Sequence, residues 1–444
     1  MKPKSNAKVT AVVLAAGKGK RMNSSLPKVL HELLGKPFIF YVLKELLALS
    51  GQVQQIIVVL GFKRELVQKA ITALLPGQVR SRRIQFVYQP QQKGTADALK
   101  IAGRAIHYPK VLVMCADTPL VTAKTLKGLI SFSSRAKACC SLLTATLTEE
   151  NTLGVIERDE AGLIRGVVEK SELSPAGACK PGGHPAAEEV NSGIYVFDRA
   201  CLLENLSLIR KDTKSGEYFL TDILEIFYRQ AMPIESLYLS CPDEIRGINT
   251  VSELSQAEGL MRLRLLARLM EQGVRVYDPQ STYIAEGVRV GKNTVIYPFT
   301  FIEDDVIIGR HCRLGPFLHV RSGTRIADNT TAGNFLELNR CRIGKDVKIK
   351  HFGYLGDTAI GDKANIGAGT VVANYDGRLK HKTNIKAKAF IGCDSILVAP
   401  VTVGEAAVTG AGCVVTRDVK AKTVVAGVPA RPLKKKRQGK TWIN

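Results

Sequence analysis

Aromatic residues are scarce: Phe, Trp and Tyr make up 6% of the 444 residues, with a single tryptophan. That scarcity disfavours a nucleic-acid surface built on stacking rings, and no RNA-binding signature accompanies the basic residues. Long apolar runs are also missing. None approaches the roughly 18 residues of a membrane-spanning helix, so stable membrane insertion is not expected. The nearest imitation is the start, "MKPKSNAKVTAVVLAAG", with the basic residues, apolar run and small residues of a secretion signal. Its apolar run covers only Val9 to Ala16 and a glycine loop follows at once, which reads as a buried first strand. Ten cysteines occur without any Cys-x-x-Cys pair, so metal spacing is absent. Free thiols fit a reducing cytoplasm. Acidic residues are outnumbered, 40 against 63 basic ones, giving a formal net charge of +23. That excess is either a solvated basic surface or an attraction for polyanions such as nucleotides, phosphates or coenzyme A.

What is present is ordinary for a folded protein: 45% hydrophobic and 23% charged residues. The length suggests two or three domains. From residue 9 to about 240, short β-rich runs alternate with helical patterns. "VTAVVLA", "QIIVVLG", "IQFVYQ" and "VLVMCAD" read as strands buried on both faces; "FIFYVLKELLAL" and "TADALKIAGRAI" read as helices between them. The alternation predicts a parallel α/β sheet. Residues 174–189, rich in Pro, Gly and Ala, read as a surface loop. A helix is expected over 250–273, where Thr250 and Glu253 have capping-box spacing and Gly273 closes the far end.

After Gly273 the texture changes. An aliphatic residue recurs every six positions, from Ile284 through Val290, Ile296, Ile302 and Ile308 to Ile326. The frame slips by one near Ile343 and near Ile360, then resumes at Ile385 after a break at 374–383. A period of six predicts short parallel strands wound as a three-sided coil of about seven turns, with the aliphatic residues inward. The break reads as a loop thrown out from the coil. The predicted division is 1–249, a linker helix at 250–273, and a coil over 274–444 ending in the basic tail "RPLKKKRQGK".

The stretch "LAAGKGKRM" follows the first strand. Its glycines allow amide groups to approach a ligand, and Lys18, Lys20, Arg21 and Lys28 supply cations. It lacks the P-loop pattern, and Arg21 stands where a dinucleotide fingerprint needs its third glycine. Alone, the loop is a weak signal, with a turn decorated by surface lysines as its alternative. Asp117 ends another apparent strand, where open α/β sheets place ligands and where a carboxylate often holds Mg²⁺. Alone, it could equally cap a helix.

The combination of "LAAGKGKRM", "LPKVLH", "QKGTADA", "ADTPL", "GVVEK", "VNSGIY" and "GINT" resembles the pyrophosphorylase domain of the bacterial GlmU family. That family comprises bifunctional N-acetylglucosamine-1-phosphate uridyltransferases and glucosamine-1-phosphate acetyltransferases. "RSGTRI", "AGNFLEL", "KHFGYLGD", "NIGAGTVVANYDG" and "LVAPVTVG" resemble its hexapeptide half. The resemblance implies a Rossmann-like α/β nucleotidyltransferase domain, then a left-handed parallel β-helix. It also implies Mg²⁺ as cofactor, UTP, sugar 1-phosphates and acetyl-CoA as substrates, a cytoplasmic homotrimer, and no nucleic-acid partner.

Residue by residue, it implies that Leu14, Ala15, Ala16 and Gly17 contact the nucleotide. Arg21 and Lys28 would neutralise the triphosphate in catalysis, and Gln89, Gly94 and Thr95 would read the uracil. Asp117 and Asn249 match the Mg²⁺ pair; Gly154, Glu169 and Asn191 match positions around the sugar. In the second half His351 matches the general base that deprotonates the attacking amine, a task suited to imidazole. Arg321, Tyr354, Asn365 and Lys380 match substrate contacts. Ala368, Asn374, Tyr375, Cys393 and Ala411 match positions lining acetyl-CoA.

Some residues depart from the family's pattern. Asn339 stands where a lysine is usual, and its neighbour Arg340 is expected to point to the other side of the coil wall. Cys393 replaces a serine, Lys20 a small hydroxyl residue and Ala116 a glycine, and Arg431 is the available stand-in for a C-terminal arginine. These departures leave open a nucleotidyltransferase whose acyltransferase half is silent or retuned.

Overall fold

The computed structural model describes residues 8–147, 153–168 and 188–433. Glu169, residues 174–187 of the expected surface loop and the basic tail from 434 lie outside the described residues. The chain divides into two units, Met1–Ala257 and Glu258–Asn444.

The first unit is built on one mixed sheet. In chain order its strands are β1 (Val9–Ala15), β2 (Val53–Leu60), β3 (Ile84–Tyr88), β4 (Lys110–Cys115), β5 (Cys140–Leu147), β6 (Val155–Arg158), β7 (Ile164–Val168), β8 (Glu188–Asp198) and β9 (Ile234–Tyr238). The spatial order is β9-β5-β8-β4-β1-β2-β3, with the β6–β7 ribbon hanging from β8. β1 runs parallel to β2 and β4, and alternate residues face opposite cores. Val9, Ala11 and Val13 pack with the helices Phe38–Ala48 and Ala123–Ala136. Val12 packs on the other side with Thr95–Ala102 and Asp222–Arg229.

Two expectations are corrected. The sheet is not wholly parallel, because β8 runs antiparallel to both β4 and β5, a pairing that needs no helical crossover. Glu188 and Glu189, expected in a surface loop, open that strand. Moreover, β3 lies at the sheet edge, so of its five residues only Ile84 is buried.

The second unit is a three-sided parallel β-helix. Its faces carry ladders that start at Arg275–Val276, Tyr283–Ile284 and Arg289–Val290; we call them the first, second and third faces. Inward residues stack in register along each face, for example Val320, Leu338 and Leu355 on the second. Among the described residues the second and third faces have eight and seven strands. The first rung, at Arg275–Val276, lies inside the expected 274–444 but ahead of Ile284, the first residue of the expected repeat, because the step between them is longer than six residues and breaks the period.

Beyond that first step, the shortened corners and the extruded loop share one edge, between the second and third faces. Leu338 to Ile343 and Leu355 to Ile360 are five-residue steps, and one coil on, 374–382 is extruded before Thr383–Ile385. On the edge between first and second faces, Phe299, Phe317 and Phe335 stack face to face, with centroids 4.8 and 4.7 Å apart.

Leu355 is fully buried between neighbouring coils. Leu355→Ala should destabilise the coil by about 2–5 kcal/mol, through lost transfer energy plus a cavity. Urea unfolding followed by circular dichroism should show the coil's midpoint falling accordingly.

Candidate functional site

β1 delivers the chain into the glycine loop, and two short 3₁₀ turns, Lys20–Met22 and Lys28–Leu30, carry Arg21 and Lys28. Gly19 has φ +63°, and a Cβ there would lie 2.5 Å from Lys28 Cβ. Glycine at this point therefore lets the Lys28 stem pack against the loop. Asp117 follows β4. Its carbonyl accepts from Ile248 N–H at 2.9 Å, which draws the Gly247–Thr250 segment onto the strand end.

The capping box of the helix Val251–Glu271 then fixes Asn249. Glu253 Oε2 accepts from the backbone N–H groups of Asn249 and Thr250 at 2.5 and 2.9 Å, and Thr250 Oγ1 accepts from Glu253 N–H at 3.2 Å.

These elements bring the charged groups to one point. Lys28 Nζ donates to Asp117 Oδ2 at 2.5 Å and to Asn249 Oδ1 at 2.6 Å, while Arg21 Nη2 donates to the same Asn249 oxygen at 2.9 Å. They line a cleft of about 620 Å³ that also receives Leu14, Ala15, Ala16 and Gly17. Gln89, Gly94 and Thr95 line it too. Gly94, at φ +104°, is where a Cβ would meet Tyr218 O at 2.4 Å, so this wall closes only around glycine. Gln89 is buried and donates its amide to Gly94 O and Asp97 Oδ2 at 3.1 and 2.7 Å. Thr95 Oγ1 accepts from Leu220 N–H at 2.9 Å, which joins the wall to the segment that leads into the helix Asp222–Arg229.

Two expected sugar positions fall elsewhere. Gly154 and Asn191 are joined by an Asn191 N–H bond to Gly154 O at 2.9 Å, but neither lines this cleft. The Asn191 side chain donates to Tyr195 OH at 2.7 Å and accepts from Gly193 N–H at 3.1 Å. Conversely, Gln92 and Glu217 line the cleft without having been singled out. Glu217 belongs to the segment whose next residue packs on Gly94, a pairing that no local pattern announces. Cys115 lines the cleft as well, but burial, aided by the Asp117 charge, pushes its thiol up to about 12, so it is not a nucleophile at neutral pH.

The donor set suits a hard divalent cation. Among the described residues no cluster of three His, Cys, Asp or Glu side chains exists, but one carboxylate and one amide oxygen converge on a single point. Mg²⁺ typically takes one or two protein oxygens and completes its shell with water and phosphate.

In the coil, register places the second set of residues. Ile349, Ile366 and Ile391 are partners on successive coils of the first face, and Phe390 pairs with Val408. His351, Ala368, Cys393 and Ala411, each two residues beyond a rung, therefore occupy equivalent corner positions in one column. His351 and Cys393 are exposed. Tyr354 projects from the second face, paired with Glu337 and Val371. Arg321, at the end of that face, donates to Glu337 Oε1 at 3.1 Å and lies 3.6 Å from Glu303, so two carboxylates offset its charge.

The irregular edge gathers the remainder. Asp357 Oδ2 accepts from Asn374 Nδ2 at 2.6 Å, which hooks the extruded loop to the coil. Arg340 donates to both Asp357 oxygens at 2.6 and 2.8 Å and to Asn339 Oδ1 at 2.8 Å. Its guanidinium holds the Asp357 carboxyl below the usual carboxylate range. Arg340 was expected on the far side of the wall. Its φ of +53° breaks the strand alternation at the shortened corner and turns it onto Asn339.

Within the loop Tyr375 is exposed and bridges to Lys380, while His381 Nε2 lies 2.6 Å from Asp376 Oδ2. Asn365 stands apart from Tyr354, on the first face between Lys348 and Phe390.

Known proteins match this layout. The nucleotidyl transferase family model covers residues 10–239, and the bacterial transferase hexapeptide (six repeats) model covers 287–322. The coil is thus a left-handed hexapeptide β-helix behind a Rossmann-like nucleotidyltransferase domain. A Bifunctional protein GlmU from Pelotomaculum thermopropionicum is 39% identical over 88% of this chain and 90% of its own. Its counterpart from Brevibacillus brevis is 35% identical over 93% of each. That from Shouchella clausii is 35% identical over 93% of this chain and 95% of its own. Likeness on this scale runs through both domains in order, and the chain belongs to the bifunctional GlmU family.

Proposed function

We propose that the chain makes UDP-N-acetylglucosamine in two steps. The β-helix transfers acetyl from acetyl-CoA to glucosamine 1-phosphate, and the α/β domain joins the product to UTP. The observation that carries the second step is the convergence of Lys28, Arg21, Asp117 and Asn249 at one end of the cleft.

A phosphate oxygen of N-acetylglucosamine 1-phosphate forms a bond to the α-phosphorus of UTP while the bond to pyrophosphate breaks in line. Such transfers depend on positioning and charge neutralisation. Lys28 and Arg21 would carry the charge that gathers around the α-phosphorus, and the turn Ala15–Gly17 would present backbone to the nucleotide. Gln89, its amide donors engaged, offers a side-chain carbonyl to the imide N–H of uracil. Asp117 and Asn249 would hold Mg²⁺, which neutralises phosphate charge when bound. Gly154, Glu169 and Asn191 remain the proposed sugar positions.

In the β-helix, His351 would take a proton from the amine of glucosamine 1-phosphate as its nitrogen attacks the thioester carbon. The C–S bond then breaks and coenzyme A leaves as the thiol. The column of Ala368, Cys393 and Ala411 beside His351 supports a coenzyme track along that edge. Tyr354, Lys380 and Arg321 would hold the sugar phosphate, while Asn374 and Tyr375 would border the coenzyme from the loop. Asn365 on the first face and Tyr354 on the second flank the corner that carries His351, and a homotrimer in which neighbouring copies border this corner belongs to the same reading. Both co-substrates are cytoplasmic metabolites, and no helix among the described residues is long and apolar enough to cross a membrane.

Asp117→Asn should lower uridylyl transfer about 10²–10³-fold, the usual cost of one electrostatic group. It should leave coenzyme A release from acetyl-CoA and glucosamine 1-phosphate unchanged. His351→Ala should do the reverse, lowering acetyl transfer about 10²–10⁴-fold, as loss of a general base does. Loss of both activities in either folded variant would contradict separate sites. Sedimentation velocity should give a mass three times that of the chain.

A further inference from the structure

We infer that the Lys28 ammonium occupies the divalent-cation position until nucleotide arrives, so that cation and nucleotide bind as a linked pair. The inference rests on the reading of Asp117 and Asn249 as the cation's protein ligands.

The geometry is direct. The two oxygens that would hold the cation both accept from a single atom, Lys28 Nζ, at 2.5 and 2.6 Å. An ammonium between them leaves no room for a metal bonding both oxygens at about 2.0–2.1 Å. Lys28 is also not a loose surface residue: its side chain is 12% exposed, and its stem packs on Gly19. Displacing the ammonium therefore costs a partly buried ion pair, and the displaced charge needs a new anionic partner.

Among the described residues lining the cleft, the other acid is Glu217, on the segment that packs against the Gly94 wall. A triphosphate provides the missing partner. Once Lys28 turns to phosphate, Asp117 and Asn249 are released to the cation. By reciprocity, the cation favours nucleotide to the same extent that nucleotide favours the cation. Arg21 makes a natural control, because it touches Asn249 without touching Asp117.

The test is a Mn²⁺ titration of the full chain without nucleotide, with free Mn²⁺ read by electron paramagnetic resonance. Wild type should bind weakly. Lys28→Met should bind about tenfold tighter or more, because a competing state has been removed. Arg21→Met, which removes one charge without clearing the position, should gain no more than about threefold. Circular dichroism checks folding, and Lys28→Gln gives the same comparison should the methionine variant unfold. Lys28→Met binding no tighter than wild type, or no tighter than Arg21→Met, overturns the inference. If Lys28→Met gains affinity and the gain survives Asp117→Asn, the cation lies elsewhere, and the reading of Asp117 as a ligand falls with the inference.

Discussion

The bond from Ile248 N–H to the carbonyl of Asp117, at 2.9 Å, is the constraint on which the candidate cleft depends. It fastens the end of the first domain to the tip of β4, and so sets Asn249 opposite Asp117 in reach of Lys28. Lys28 and Asp117 are 89 positions apart in sequence, and Arg21 and Asn249 are 228 apart. A partly buried carboxylate such as Asp117 is tolerable when a cation and hydrogen bonds match it. The same pairing creates a compact charged centre at the carboxyl ends of parallel strands, where open α/β sheets bind ligands. Fold stability and the geometry of the candidate site thus use one set of contacts.

The β-helix reaches its candidate site by a different route. Regular six-residue steps keep the interior uniform, as in the stacked Val320, Leu338 and Leu355. After the first rung, the shortened steps at Leu338–Ile343 and Leu355–Ile360 and the extruded loop fall on the edge between the second and third faces. Two shortened corners place Asn339, Arg340 and Asp357 in contact, and Asp357 in turn anchors the extruded loop through Asn374. A rigid coil can carry such a loop because each coil is held by its neighbours along the axis. His351 lies on the next edge, at the head of the column that includes Cys393.

The sequence makes the repeat legible because a period of six, sustained over many coils, has few other physical origins. The first strand, the strand before Asp117 and the capping box of Thr250 and Glu253 are legible for the same reason: their signals are local. The antiparallel course of β8 is not local, nor is the contact of Arg340 with Asn339, which depends on a left-handed φ at a shortened corner. Glu217 enters the cleft through packing of its neighbour on Gly94, and nothing in its own surroundings marks it. Gly154 and Asn191 show the opposite case, since motif likeness names them and neither lines the cleft.

The central claim is that a cationic cradle beside Asp117 receives the α-phosphate of a uridine nucleotide. A crystal structure with a non-hydrolysable UTP analogue and Mn²⁺ tests it most directly. The account predicts the α-phosphate within hydrogen-bond reach of Lys28 and Arg21, with the Mn²⁺ anomalous peak between Asp117 and Asn249. A nucleotide bound outside this cleft, or a phosphate chain touching neither cation, would contradict it.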